Sequence, residues 1–162
     1  MLRRAVLLLT SLVLIFSLVS CRSGVSMEHC ELGITLPKGF SKYDSGGTFD
    51  VAYTDGDLIV GMVRVSFSAG MNDGISATLT SHSFGELYCL RAGLEDKTVF
   101  DYGDTSYVSY TNTVEGYKYR YTHTFYTTPY AYFIISFISH DGGIWGVEDM
   151  LKLTGGVYLI NI

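Results

Sequence analysis

Apolar and polar residues alternate through much of the chain after residue 33, and the breaks in that alternation fall at turn-forming residues. Ile34 and Leu36 flank Thr35, and Pro37 ends the segment because proline cannot donate to a strand ladder. Phe49, Val51 and Tyr53 then alternate with Thr48, Asp50 and Ala52 up to Thr54-Asp55-Gly56-Asp57. Asp-Gly between two apolar runs predicts a hairpin, since glycine tolerates positive φ. In the return strand, Leu58 to Phe67, the pairs Ile59-Val60 and Met62-Val63 put apolar side chains on both faces. A strand of that kind is covered on both sides and belongs in the interior of a sheet.

The pattern breaks at Ala69 to Gly74 and resumes with a different period. Between Ser76 and Leu94, apolar residues at Leu79, Phe84, Leu87, Leu90 and Leu94 approach the spacing of an amphipathic helix ending near Gly93. Four strands follow, over Thr98 to Tyr102, Ser106 to Val114, Tyr117 to Thr127 and Tyr130 to Ser139. The breaks between them, Gly103-Asp104, Glu115-Gly116 and Thr128-Pro129, are short, so neighbouring strands run antiparallel. Gly143 to Leu153 predicts a second helix that places Ile144, Val147, Met150, Leu151 and Leu153 on one side. The order predicts a single α+β domain over residues 33–162, an antiparallel β-sheet flanked by two helices, with no internal repeat or linker.

The first twenty residues follow no such pattern. Arg3 and Arg4 precede fifteen uncharged residues, Ala5 to Val19. A helix of that length reaches about 22 Å, against roughly 30 Å of hydrocarbon in a bilayer. Such a run suits the apolar region of a signal peptide better than a membrane span. Leu18-Val19-Ser20-Cys21 then resembles the lipobox of bacterial lipoproteins, with an aliphatic residue three positions before cysteine and a small one directly before it. The resemblance implies a signal peptide over residues 1–20 and a diacylglyceryl group on the Cys21 thiol. It also implies palmitate labelling and an extracytoplasmic protein held on the bacterial membrane. An ordinary signal peptide or a short signal anchor is the alternative. Residues 21–32 are polar through Glu31 and read as a lipidated tether without regular structure.

Cleavage before Cys21 removes two of the eleven basic residues and none of the sixteen acidic ones, leaving 9 − 16 = −7. Downstream there is no Lys/Arg cluster of the kind a phosphate-binding surface needs, which argues against nucleic acid as a partner. The same net charge opposes adsorption to anionic lipid heads, so the lipid itself has to hold the protein to its membrane.

The segment ITLPKGF, a hairpin, a middle helix, a meander ending in YAYFIISFIS and a last helix together resemble the PsbP-like and DcrB-like families over residues 33–156. That likeness implies a sheet flanked by helices and a binding or assembly role. No functional residue carries over from it, because the resemblance brings no shared catalytic motif.

Cys30 and Cys89 are an even pair outside the cytoplasm, open either to a disulfide or to two separate thiols. A bridge would close a loop of about sixty residues, worth about 4 kcal/mol in the chain-entropy model. The four histidines, at 29, 82, 123 and 140, are never three or four apart, so no helix presents two imidazoles to one metal. The sequence offers no nucleophile elbow, phosphate-binding loop or calcium loop, and no cofactor is expected. The distinctive feature is tyrosine. Nine of thirteen lie between Tyr102 and Tyr132, and alternation puts Tyr117, Tyr119, Tyr121 and His123 on one face, with Lys118, Arg120 and Thr122 on the other. Rings so placed either pack beneath a helix or form a partly exposed platform for a partner. The expectation is a membrane-anchored binding or assembly factor of the cell envelope that captures a protein or small ligand and catalyses nothing. An envelope hydrolase with a dispersed site is the alternative, and carboxylates converging on His123 or His140 would mark it.

Overall fold

The computed structural model describes residues 24–160. Among these residues ten strands form two sheets. Strands β1 (Val25–His29), β2 (Leu32–Leu36) and β10 (Val157–Leu159) make a small antiparallel sheet with β2 in the middle. The larger sheet has the order β3-β4-β5-β9-β8-β7-β6. Its strands are β3 (Ser41–Lys42), β4 (Val51–Thr54), β5 (Leu58–Ser66), β6 (Phe100–Tyr102), β7 (Thr105–Val114), β8 (Tyr117–Thr127) and β9 (Ala131–His140), and every neighbouring pair is antiparallel. Among the described residues there are three α-helices, α1 (Phe67–Asn72), α2 (Ser81–Arg91) and α3 (Val147–Leu153). The fold is α+β, as the order of elements predicts.

The two-faced apolar character of β5 explains the layering. Leu58, Val60 and Met62 point to one side with Phe133, Ile135 and Phe137 of β9, and meet Met27, Ile34 and Leu36 of the small sheet and Met150 of α3. Val63, Val65, Tyr132 and Ile134 point to the other side and meet Phe84 and Cys89 of α2. The large sheet is therefore the middle of three layers.

The structure departs from the sequence expectation at several elements, and a second sheet is present where one was expected. The polar run expected as an irregular tether contains β1, where Met27 is fully buried. Val25, Met27 and His29 alternate with Ser26 and Glu28, but β1 is specified by its pairing with β2 and by the core beneath it, which the run itself does not display. Strand β10 was hidden for the same reason, because its partner in β2 lies more than a hundred residues away. The expected return strand gives way at Phe67 to α1, capped by Ser66, whose hydroxyl accepts from the Ala69 amide. Finally, α3 begins at Val147, four residues later than the expected start at Gly143.

Candidate functional site

The face of the large sheet that carries α1 and α2 is only partly covered. Its geometry follows from the β7–β8 hairpin. Glu115 and Gly116 both take positive φ (52° and 83°), the two-residue turn whose twist matches that of the flanking strands. The turn fixes Val114 opposite Tyr117, Asn112 opposite Tyr119, Tyr110 opposite Tyr121 and Val108 opposite His123. On the other side of β8, Tyr119 faces His140, Tyr121 faces Ile138 and His123 faces Ser136. Ile59 of β5 continues the Tyr121 row and Gly61 continues the His123 row.

Burial rises along β8. Tyr117 is 63% exposed. Tyr119 and Tyr121 are half-buried, and His123 and Phe125 are buried under α2, where Phe84 and Tyr88 pack on Phe125. The four side chains singled out in the sequence thus share one face and split between two environments. Tyr121 stacks on Tyr110 at 5.3 Å between ring centroids and 8° between planes, and Tyr119 stacks on His140 at 4.5 Å. These cross-strand pairs fix the rings against one another and leave Tyr110, Tyr119 and Tyr121 half-buried and His140 exposed. With Ile59 and Ile138, both half-buried, they form a continuous strip of rings and isoleucines across four strands. The nearby charges lie on the opposite face, where Lys118 and Arg120 grip Asp141 at 2.9 and 2.6 Å.

At the covered end, His123 Nδ1 lies 2.8 Å from Ser136 Oγ and Nε2 lies 3.1 Å from the Tyr110 hydroxyl. Burial lowers His123 to about 4, so the ring is neutral at pH 7, when it donates to one of these oxygens and accepts from the other. Burial likewise raises the Tyr110 phenol to about 12, which keeps it protonated. A serine beside an imidazole is the geometry of an activated nucleophile. Here the second imidazole nitrogen meets a phenol instead of a carboxylate, and Ser136 and His123 are only 2% and 5% exposed. His140 is bounded by the rings of Tyr117 and Tyr119. Neither histidine shows the converging carboxylates that would mark a hydrolase.

Of the other residues singled out, Cys21 lies outside the described residues. Cys30 and Cys89 are both free thiols. Cys30 sits exposed in the β1–β2 turn of the small sheet, whereas Cys89 is buried on the sheet-facing side of α2, across the large sheet. The disulfide is thus replaced by the two-thiol alternative, because a whole layer separates the pair. Burial, with help from Glu86, pushes the Cys89 thiol up. Among the described residues no group of three or more histidine, cysteine or acidic side chains could hold a metal ion.

Sequence reasoning missed Tyr88, Tyr110, Ser136 and the two isoleucines. Tyr110 was recoverable, since the Glu115-Gly116 turn dictates its register against Tyr121. Phe49 was not: its ring lies over Gly61, where an added Cβ would come within 2.4 Å of it. A strand glycine of this kind marks a close approach from above.

No protein-family model matches the chain, and no curated protein does. Among solved structures, one from Bacteroides thetaiotaomicron is similar, with a TM-score of 0.57 and 11% sequence identity. The match covers 85% of this chain and 49% of that one, so this chain spans about half its length. At that identity the likeness concerns the fold alone.

Proposed function

We propose that this protein is a lipid-anchored extracytoplasmic factor that binds or assembles a component of the bacterial cell envelope. Its contact surface is the open strip of Tyr110, Tyr119, Tyr121, Ile59 and Ile138. The observation that carries the reading is the strip's partial exposure. Tyr119 and Tyr121, half-buried rings fixed by cross-strand stacking, supply contact area with little ordering cost, while the Tyr110 hydroxyl is turned inward to His123. The lipobox-like Leu18-Val19-Ser20-Cys21 and the resemblance to PsbP-like and DcrB-like binding factors support the same class. No helix among the described residues is long and apolar enough to cross a membrane. On this reading the lipid on Cys21 is the anchor.

Capture from native membranes tests both parts. Tyr119→Ser together with Tyr121→Ser should reduce recovery of the bound component at least ten-fold, the order expected for two interface aromatics at 1–2 kcal/mol each. The folded transition should persist. Undiminished capture would remove the strip from the proposal. In parallel, Cys21→Ala should leave unprocessed precursor without palmitate label, and retained label in that variant would sink the lipid anchor.

A further inference from the structure

A depression of about 890 Å3 opens beside the first described residue, Gly24, at the edge of the small sheet. Lys38, Lys152, Gly155, Gly156 and Tyr158 also line it. On a chain with sixteen acidic and eleven basic residues, its two charged lining side chains are both lysines. Asp149 stands 3.2 Å from Lys152 but does not line the depression.

The position of Gly24 gives this surface its meaning. Because β1 begins at Val25, only two residues, Arg22 and Ser23, stand between Cys21 and Gly24. At full extension that places the Cys21 Cα within about 11 Å of Gly24. The tether expected over residues 21–32 would have held the domain well clear of a bilayer. This link does not.

The geometry points to the Gly24–Lys38–Lys152 depression as the surface by which the anchored domain rests on anionic phospholipid headgroups. The inference builds on the reading of Cys21 as the lipid-bearing residue. The net charge of the domain repels such a membrane as a whole, yet the anchor removes any choice about approach and leaves only orientation to be decided. Attraction to headgroups decays within about 8 Å at physiological ionic strength. Lys38 and Lys152 at the root of the anchor are held within that range, and they act against Glu28, which accepts from the Tyr158 hydroxyl at 2.6 Å, and Asp149 beside Lys152 at the rim. The open aromatic strip belongs to the α2 side of the large sheet, opposite the small sheet that carries the depression. An orientation set by the lysines therefore leaves the strip free for a partner.

Photo-crosslinking with a headgroup-proximal benzophenone phospholipid tests this on the processed, lipid-modified protein beginning at Cys21, in phosphatidylcholine vesicles with and without one quarter phosphatidylglycerol. Cross-links should map to the peptides around Pro37-Lys38 and Lys152 to Tyr158 and be absent from α2. Lys38→Glu with Lys152→Glu should lower the yield about ten-fold on the anionic vesicles, while flotation with the vesicles is unchanged. Wild type on pure phosphatidylcholine should resemble that variant. Cross-links on α2, a uniform distribution, a yield indifferent to charge reversal, or cross-linked dimers through the depression would each overturn the orientation and leave the anchor standing. Processed protein that does not float with vesicles would fail the anchor itself, and this inference with it.

Discussion

His123 shows how one residue's surroundings become a property of the whole protein. Its folded value of about 4 lies below the value near 6.5 expected once unfolded. Between those values the unfolded chain takes up a proton that the folded one refuses, so His123 costs stability as pH falls through that window. The loss approaches about 1.4 kcal/mol per pH unit, or roughly 3 kcal/mol by pH 4. Several acids add to it, because Asp101, Asp141 and Glu31 are all held below their ordinary values by hydrogen-bonding or charged neighbours and lose that stabilisation on protonation. His123→Gln keeps a polar group beside Ser136 and Tyr110 and removes the titration. Its urea-unfolding free energy should therefore fall about 2 kcal/mol less between pH 7 and pH 4.5 than that of the native protein. Parallel losses in the two proteins would mean that His123 is protonated inside the fold.

At the scale of one element, α2 contains a glycine that its propensity argues against. Gly85 faces Phe125, and an added Cβ would stand 2.7 and 2.8 Å from two ring carbons and 3.2 Å from Val99. Phe125 is fully buried and cannot step aside. Alanine would gain about 1 kcal/mol of helix propensity, whereas overpacking a closed core costs typically 1–3 kcal/mol. Gly85→Ala should therefore destabilise by about 1 kcal/mol, read as a lower urea midpoint, and a gain would show that the interface yields. The same residue made the helix hard to read in sequence, because glycine lowers the local signal for a reason visible only in the partner it meets. Legibility divides elsewhere along the same line. The Asp55-Gly56 and Glu115-Gly116 turns announce the β4–β5 and β7–β8 hairpins, and β8 takes the bounds its alternation predicts. Strand β1, strand β10 and the split of the tyrosine face depend on what arrives from far along the chain. Alternation places Tyr117 to His123 on one side, but only the resting place of α2 decides which of them it covers.

Across the whole molecule, the joint between the two sheets is electrostatic at one corner. Glu31, in the β1–β2 turn, is 4% exposed and accepts from Arg64 of β5 at 3.0 and 3.1 Å and from the Thr128 hydroxyl at 3.2 Å. Its backbone oxygen accepts from Ile160 beyond β10, so this turn gathers the small sheet and fastens it over the β8–β9 corner of the large one. Burial alone would raise the Glu31 carboxyl, but the Arg64 guanidinium hydrogen-bonded to it holds it below the ordinary value. That stabilisation is complete above the unfolded value and is lost as pH falls through the folded one. Arg64→Met reverses the sign. The carboxylate is left with Thr128 and little solvent, so it takes up a proton more readily, and the destabilisation is greatest at neutral and higher pH and shrinks in acid. Arg64 is a quarter exposed, which puts the cost at pH 7 near the low end for a broken buried pair, about 3 kcal/mol. Adding Glu31→Leu removes the orphaned charge and should recover most of that loss, since an apolar pair of similar volume often matches a buried ion pair. Denaturant titrations of both variants at pH 5 and pH 8 separate the possibilities. If Arg64→Met loses the same stability at both, the pair does not clamp the sheets, and the apolar contacts of Met27, Ile34 and Leu36 with β5 and β9 hold the layers by themselves.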